Sequence, residues 1–194
     1  GDCERLTTNQ IPVLHVDDNP NWTELIVNRF EHKSDQITIQ TATTPQEGLS
    51  ILTTDPVDCI LSGYEMPAQD GLEFLETIRE DYPDLPFILY TSRGSEEVAS
   101  EAISAGVTDY LRKDAGPGHY ELLANRITNA VSQYRAQKEL ARNEDLLAST
   151  ERLANTGGWE LDIETGDTRW TDGTYAIYGL DPDTELTKQE AIEF

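Results

Sequence analysis

At 194 residues the chain is long enough for one full domain with a remainder, or for two small ones, and 37% hydrophobic content is enough for a core. Its 37 acids against 14 bases leave a net charge of −23, a surface that repels nucleic acid and anionic lipid. No apolar run reaches the length of a membrane span, the start has no signal-peptide pattern, and Cys3 and Cys59 are too few for a disulfide framework, so a soluble cytoplasmic protein is expected.

The stretch IPVLHVDD (11–18) reads as a short buried strand closed by two acids. In NPNWTELIVNRFEHK, which follows, Trp22, Leu25, Ile26, Arg29 and Phe30 fall at helical spacing. QITIQTA (36–42) alternates and is β-branched, which predicts a strand. TPQEGLSILTT (44–54) predicts a helix with Thr44 as cap and Pro45 at its first position. VDCILS (57–62) reads as another buried strand, with Cys59 a buried free thiol, and GLEFLETIRED (71–81) as an amphipathic helix. LPFILYTS (85–92) is a third buried run. SEEVASEAISAG (95–106) predicts a helix from Ser95 as cap to Gly106 as stop, and VTDYLRK (107–113) a last strand.

From 119 to 154 no residue breaks a helix. Ile127, Ala130, Tyr134, Gln137 and Ala141 follow a coiled-coil spacing, and Leu140, Leu147 and Ala154 recur every seventh residue. Two readings stand: a two-stranded coiled coil, or a single helix docked on its own domain and running out into a linker. After Thr156 two short alternating runs, 158–163 and 167–171, flank a turn and read as a β-hairpin, with a short aromatic helix at 173–178. The expected organisation is a tail (1–10), an α/β domain (11–130), a helical linker (131–155) and a partial second domain (156–194).

Five strand–helix alternations predict a doubly wound five-stranded parallel sheet, because parallel strands need helical crossovers. In such sheets the site lies beyond the carboxyl ends of the strands. Those ends are Asp17–Asp18, Ser62–Gly63, Thr91–Ser92 and Lys113. With Met66-Pro67 and Gly71 after the third strand, and Tyr110 before Lys113, this constellation resembles the receiver domain of two-component response regulators over residues 11 to about 130.

The resemblance implies a flavodoxin-like sheet in the order 2-1-3-4-5 and a signalling module rather than an enzyme. It further implies that Asp17 and Asp18 hold a Mg²⁺, with a backbone carbonyl from Glu65, and that Lys113 and Thr91 contact a phosphoryl group. Thr91 and Tyr110 would be the switch. The family's nucleophile, an aspartate carboxylate three residues before the Met-Pro pair, falls on Gly63, which has no side chain to phosphorylate or to bind metal. Mg²⁺ binding should then be weak or absent, and Lys113 should turn to Asp17, Asp18 or Asp114. Asp114 also stands where the family often carries proline. Ser62 points to the opposite face of its strand. His15, His32 and His119 read as structural.

Segment 156–194 resembles the opening of a PAS domain, and the acid-rich, lysine-poor composition resembles proteins of salt-loving archaea, whose surface charge is screened by salt. Acidity serving a basic partner is the competing reading. The layout implies a histidine kinase or other signalling protein as partner, a homodimer through the long helix, no nucleic acid and no membrane segment. Two other readings stay open. One is an ordinary phosphoaccepting receiver in which glycine has replaced the aspartate at position 63. The other is a flavodoxin-like flavoprotein, which the DDNPN loop after the first strand disfavours because its acids repel phosphate.

Overall fold

The computed structural model describes residues 10–33, 36–92, 96–114, 116, 118–162, 164–165, 167–182 and 184. The expected tail lies outside them except for Gln10, as does the cap expected at Ser95. The chain divides into two compact units, residues 1–135 and 136–194.

In the first unit five strands alternate with helices: β1 (Ile11–Val16), α1 (Pro20–Lys33), β2 (Ile37–Ala42), α2 (Pro45–Thr54), β3 (Cys59–Ser62), α3 (Gly71–Asp81), β4 (Phe87–Thr91), α4 (Glu96–Ala105), β5 (Asp109–Arg112) and α5 (His119–Ala154). All four strand pairings are parallel, in the order β2-β1-β3-β4-β5, the doubly wound sheet the alternation predicts. Alternation along each strand splits the core in two. Val13, Cys59, Leu61, Ile88 and Tyr90 pack with Ile26 and Phe30 of α1 and with Leu123, Ile127 and Val131 of α5. On the other face Leu14, Val16, Ile60, Phe87 and Leu89 pack with Leu52 of α2, Phe74, Leu75 and Ile78 of α3, and Ala102 of α4.

The local chemistry fixes the helix starts. Thr44 caps α2 by accepting from the Glu47 N–H at 3.2 Å, with Pro45 next. Asp70 caps α3 through a capping box with Glu73. Gly71, the first residue of α3, donates its N–H to the Tyr64 carbonyl at 2.7 Å, and a Cβ there would lie 2.3 Å from the Gly63 carbonyl oxygen. That contact presses the β3–α3 loop against the end of β3.

Helix α5 corrects one expectation. Ile127 belongs to no free seam, because it is fully buried with Leu123 and Val131 under the sheet. Arg135 ends this docked stretch: it pairs with Asp58 and donates to the Gln10 carbonyl at 2.7 Å. Further on, Leu140, Leu146, Leu147 and Leu153 are exposed.

In the second unit α5 stops in a Schellman turn, the Thr156 N–H reaching the Glu151 carbonyl at 3.0 Å with Asn155 at φ 50°. Strands β6 (Trp159–Leu161) and β7 (Thr168–Trp170) form an antiparallel hairpin, followed by α6 (Asp172–Tyr178). The buried Glu151 carboxylate accepts from the Gly173 N–H at 3.2 Å, tying α6 to the end of α5. Trp170 packs on Tyr175 and Tyr178, whereas Trp159 is 68% exposed.

Candidate functional site

Asp17 follows β1 directly, on the side of the sheet shared by Val13 and His15. It is 2% exposed. Its Oδ1 accepts from the Asn19 N–H at 3.0 Å, the turn that leads into Pro20 and α1. Its Oδ2 is paired with Lys113 Nζ, which the end of β5 delivers. The Lys113 N–H is anchored to the Thr91 carbonyl at 2.7 Å, so the ends of β4 and β5 are held together under the site. Trp22 of α1 and Tyr90 of β4 flank the ammonium, with ring centroids 5.6 Å and 5.9 Å from Nζ.

Gly63 sits between them at the end of β3, its N–H donating to the Val16 carbonyl at 2.8 Å. A Cβ built on it would lie 3.0 Å from Asp17 Oδ2. The Asp17 carboxylate therefore leans into the space that a side chain at position 63 would enter. Three expected site residues, Asp17, Gly63 and Lys113, are thus brought together. Asp18 and Glu65 are exposed, and Thr91 is buried at the end of β4. The Tyr110 hydroxyl is buried without a hydrogen-bond partner. Asp114, a candidate for Lys113, instead accepts from the Gly116 N–H at 2.8 Å. Ser62 donates its hydroxyl to the Gly63 carbonyl at 2.9 Å.

Sequence reasoning missed the surroundings of the ion pair. His15 lies fully buried, Nε2 3.8 Å from Asp17 Oδ2, and neither ring nitrogen has a hydrogen-bond partner. Burial pushes its pKa down to about 4 against the pull of Asp17, and Lys113 lowers it further, so the imidazole is neutral at pH 7. Burial also pushes Tyr90 up to about 12. The apolar neighbours of His15 in the sequence were a signal for burial, but nothing there marked its nitrogens as unpartnered. Because buried unpaired polar atoms destabilise, His15→Leu should raise stability by about 1–2 kcal/mol in urea unfolding. A loss of stability would mean that the imidazole has a polar partner.

Mg²⁺ is the ion the family implies. Its donors would be carboxylate and carbonyl oxygens. Here Gly63 supplies no carboxylate, both oxygens of Asp17 are engaged, and Asp18 is directed to solvent. Among the described residues no three His, Cys, Asp or Glu side chains are grouped to hold a metal. The donor set as arranged does not fit Mg²⁺.

With this geometry in view, the comparisons agree on the class. A model of the response regulator receiver domain matches residues 13–125, and the chain belongs to that family. It is similar to the response regulator SaeR of Staphylococcus aureus (strain USA300), 25% identical over 151 residues, covering 77% of this chain and 65% of the relative. The chain thus spans about 65% of the length of curated relatives it matches. It also resembles the receiver domain protein of Clostridium thermocellum, with 26% identity and a TM-score of 0.58, covering 66% of this chain and 98% of that one. The chemotaxis response regulator CheY4 of Vibrio cholerae matches with 25% identity and a TM-score of 0.55, covering 61% and 98%. The first unit is a receiver domain, a signalling module.

Proposed function

We propose that this chain is a receiver module of a phosphorelay protein that does not itself accept phosphate. The observation that carries the reading is Gly63 at the end of β3, with Asp17 leaning toward it and paired to Lys113. In a receiver that accepts phosphate, a carboxylate at this position attacks the phosphorus; glycine has no such group. Thr91 and Lys113 remain as the phosphoryl-pocket positions and Thr91 and Tyr110 as the switch pair, whereas Asp17, Asp18 and the Glu65 carbonyl stand where a phosphoaccepting receiver holds its metal but, as arranged here, do not hold one.

The module acts by binding rather than by catalysis, in the cytoplasm, with a histidine kinase or another signalling protein as partner. The hairpin and α6 support the PAS-like reading of 156–194, of which 185–194 lie outside the described residues. The acid excess supports a halophilic origin. Beryllofluoride, a phosphoryl analogue that bonds a carboxylate oxygen, tests the reading. With Mg²⁺ it should leave the amide resonances of Thr91 and Lys113 unmoved, and shifts confined to that site would refute it.

The module works as a homodimer through the distal half of α5. Exposed Leu140 and Leu147 are seven residues apart, as are Leu146 and Leu153. In this distal half Lys138, Arg142 and Arg152 nearly offset Glu139, Glu144, Asp145 and Glu151, so it adds only −1 to the chain's net −23. Two copies can approach along it without the repulsion that the rest of the surface imposes. Light scattering in high salt should give a dimeric mass for the chain and a monomeric mass for Leu140→Lys/Leu147→Lys. Equal masses for the two would refute this.

A further inference from the structure

The mismatch between the donor set and Mg²⁺ leads further, on the reading of Gly63 just given. We propose that Lys113 is the resident cation of this receiver site: its ammonium holds the place against Asp17 that a divalent ion would take, and the centre is closed and metal-independent.

Charge balance supports this. Asp17 is 2% exposed and the Lys113 side chain 5%, so both charges sit in a setting where an unmatched one is costly. One buried carboxylate faces one buried ammonium, so the pair is matched charge for charge. A phosphoaccepting site would bury a second carboxylate here and need a divalent ion to offset it. Removing the acceptor's side chain removes that need.

Geometry makes the glycine and the ion pair one feature. Asp17 Oδ2 is 3.0 Å from where a Cβ at 63 would stand, so a larger side chain would press on the carboxylate that Lys113 holds. The Asn19 N–H fixes the other oxygen at 3.0 Å. A divalent ion at Asp17 would have to displace the ammonium, which would then leave a buried, ring-flanked position between Trp22 and Tyr90. Ion and lysine compete for one carboxylate.

Mn²⁺ is the probe, with free ion counted by its paramagnetic resonance at fixed high ionic strength, which suppresses diffuse binding to the acidic surface. The folded chain should bind Mn²⁺ no better than Asp17→Asn. Lys113→Met should gain a discrete site at least about tenfold tighter, and should lose it when Asp17→Asn is added. A discrete site in the chain itself that Asp17→Asn abolishes and Lys113→Met fails to tighten would overturn the proposal. If Lys113→Met does not fold, the comparison with Asp17→Asn decides alone: an Asp17-dependent site overturns the proposal, and its absence supports it. Phosphorylation is a separate readout. A chain that stays unphosphorylated yet binds Mn²⁺ through Asp17 defeats only this inference, whereas a phosphorylated chain defeats the reading beneath it.

Discussion

Gly63→Asp, with Mg²⁺ present, should turn a chain that gains no mass from acetyl phosphate into one that gains a single phosphoryl group. The new carboxylate oxygen attacks phosphorus, acetate leaves, and an acyl phosphate labile to base remains. Lys113 and Thr91 already stand at the strand ends around it. The new Cβ would sit 3.0 Å from Asp17 Oδ2, so Asp17 must give way, and two buried carboxylates would then share one ammonium. Like charges this close oppose ionisation of both. Without a divalent ion the variant should lose about 1–2 kcal/mol of stability, and Mg²⁺ should restore it. Intact mass and thermal unfolding, each with and without Mg²⁺, check the two halves of this expectation. A Gly63→Asp chain that takes no phosphoryl group in Mg²⁺ would show that the surrounding pocket has been misread.

Gly71→Ala should destabilise the receiver unit by about 3 kcal/mol, at the upper end of overpacking effects. Its Cβ would lie 2.3 Å from the Gly63 carbonyl oxygen and 2.8 Å from Leu89 Cδ1. Leu89 is fully buried, and the carbonyl belongs to backbone at the end of β3, so neither neighbour can swing aside. The β3–α3 loop would have to open, at the expense of the Gly71–Tyr64 hydrogen bond. Gly48→Ala is a fair comparison, since its Cβ would meet only side-chain atoms, at 3.1 Å and beyond, and should cost less. Chemical denaturation checks both. A Gly71→Ala variant within about 1 kcal/mol of the parent would mean that the loop is not held by this contact.

The sheet was legible because its strands are short apolar runs and its helices carry their caps in sequence. Thr44-Pro45 announces α2 by local chemistry alone, whereas the Asp70–Glu73 capping box of α3 was not read from the sequence. The site positions were legible for a related reason: in a parallel sheet every strand ends on the same side, so Asp17, Gly63 and Lys113 converge once the strands are placed. What stayed hidden depends on packing between elements distant in sequence. Nothing local to Lys113 says that it will choose Asp17 over its neighbour Asp114, whose carboxylate is taken by its own turn at Gly116. Nothing local to Ile127 separates a coiled-coil seam from a face docked under a sheet, since both want an apolar residue at helical spacing.

Intact-mass measurement of the unaltered chain, after incubation with excess acetyl phosphate and Mg²⁺, decides whether the site accepts a phosphoryl group. The mass should stay that of the unmodified polypeptide at every time point. A base-labile gain of one phosphoryl group would contradict that expectation, because some carboxylate near Lys113 would then be doing what Gly63 cannot.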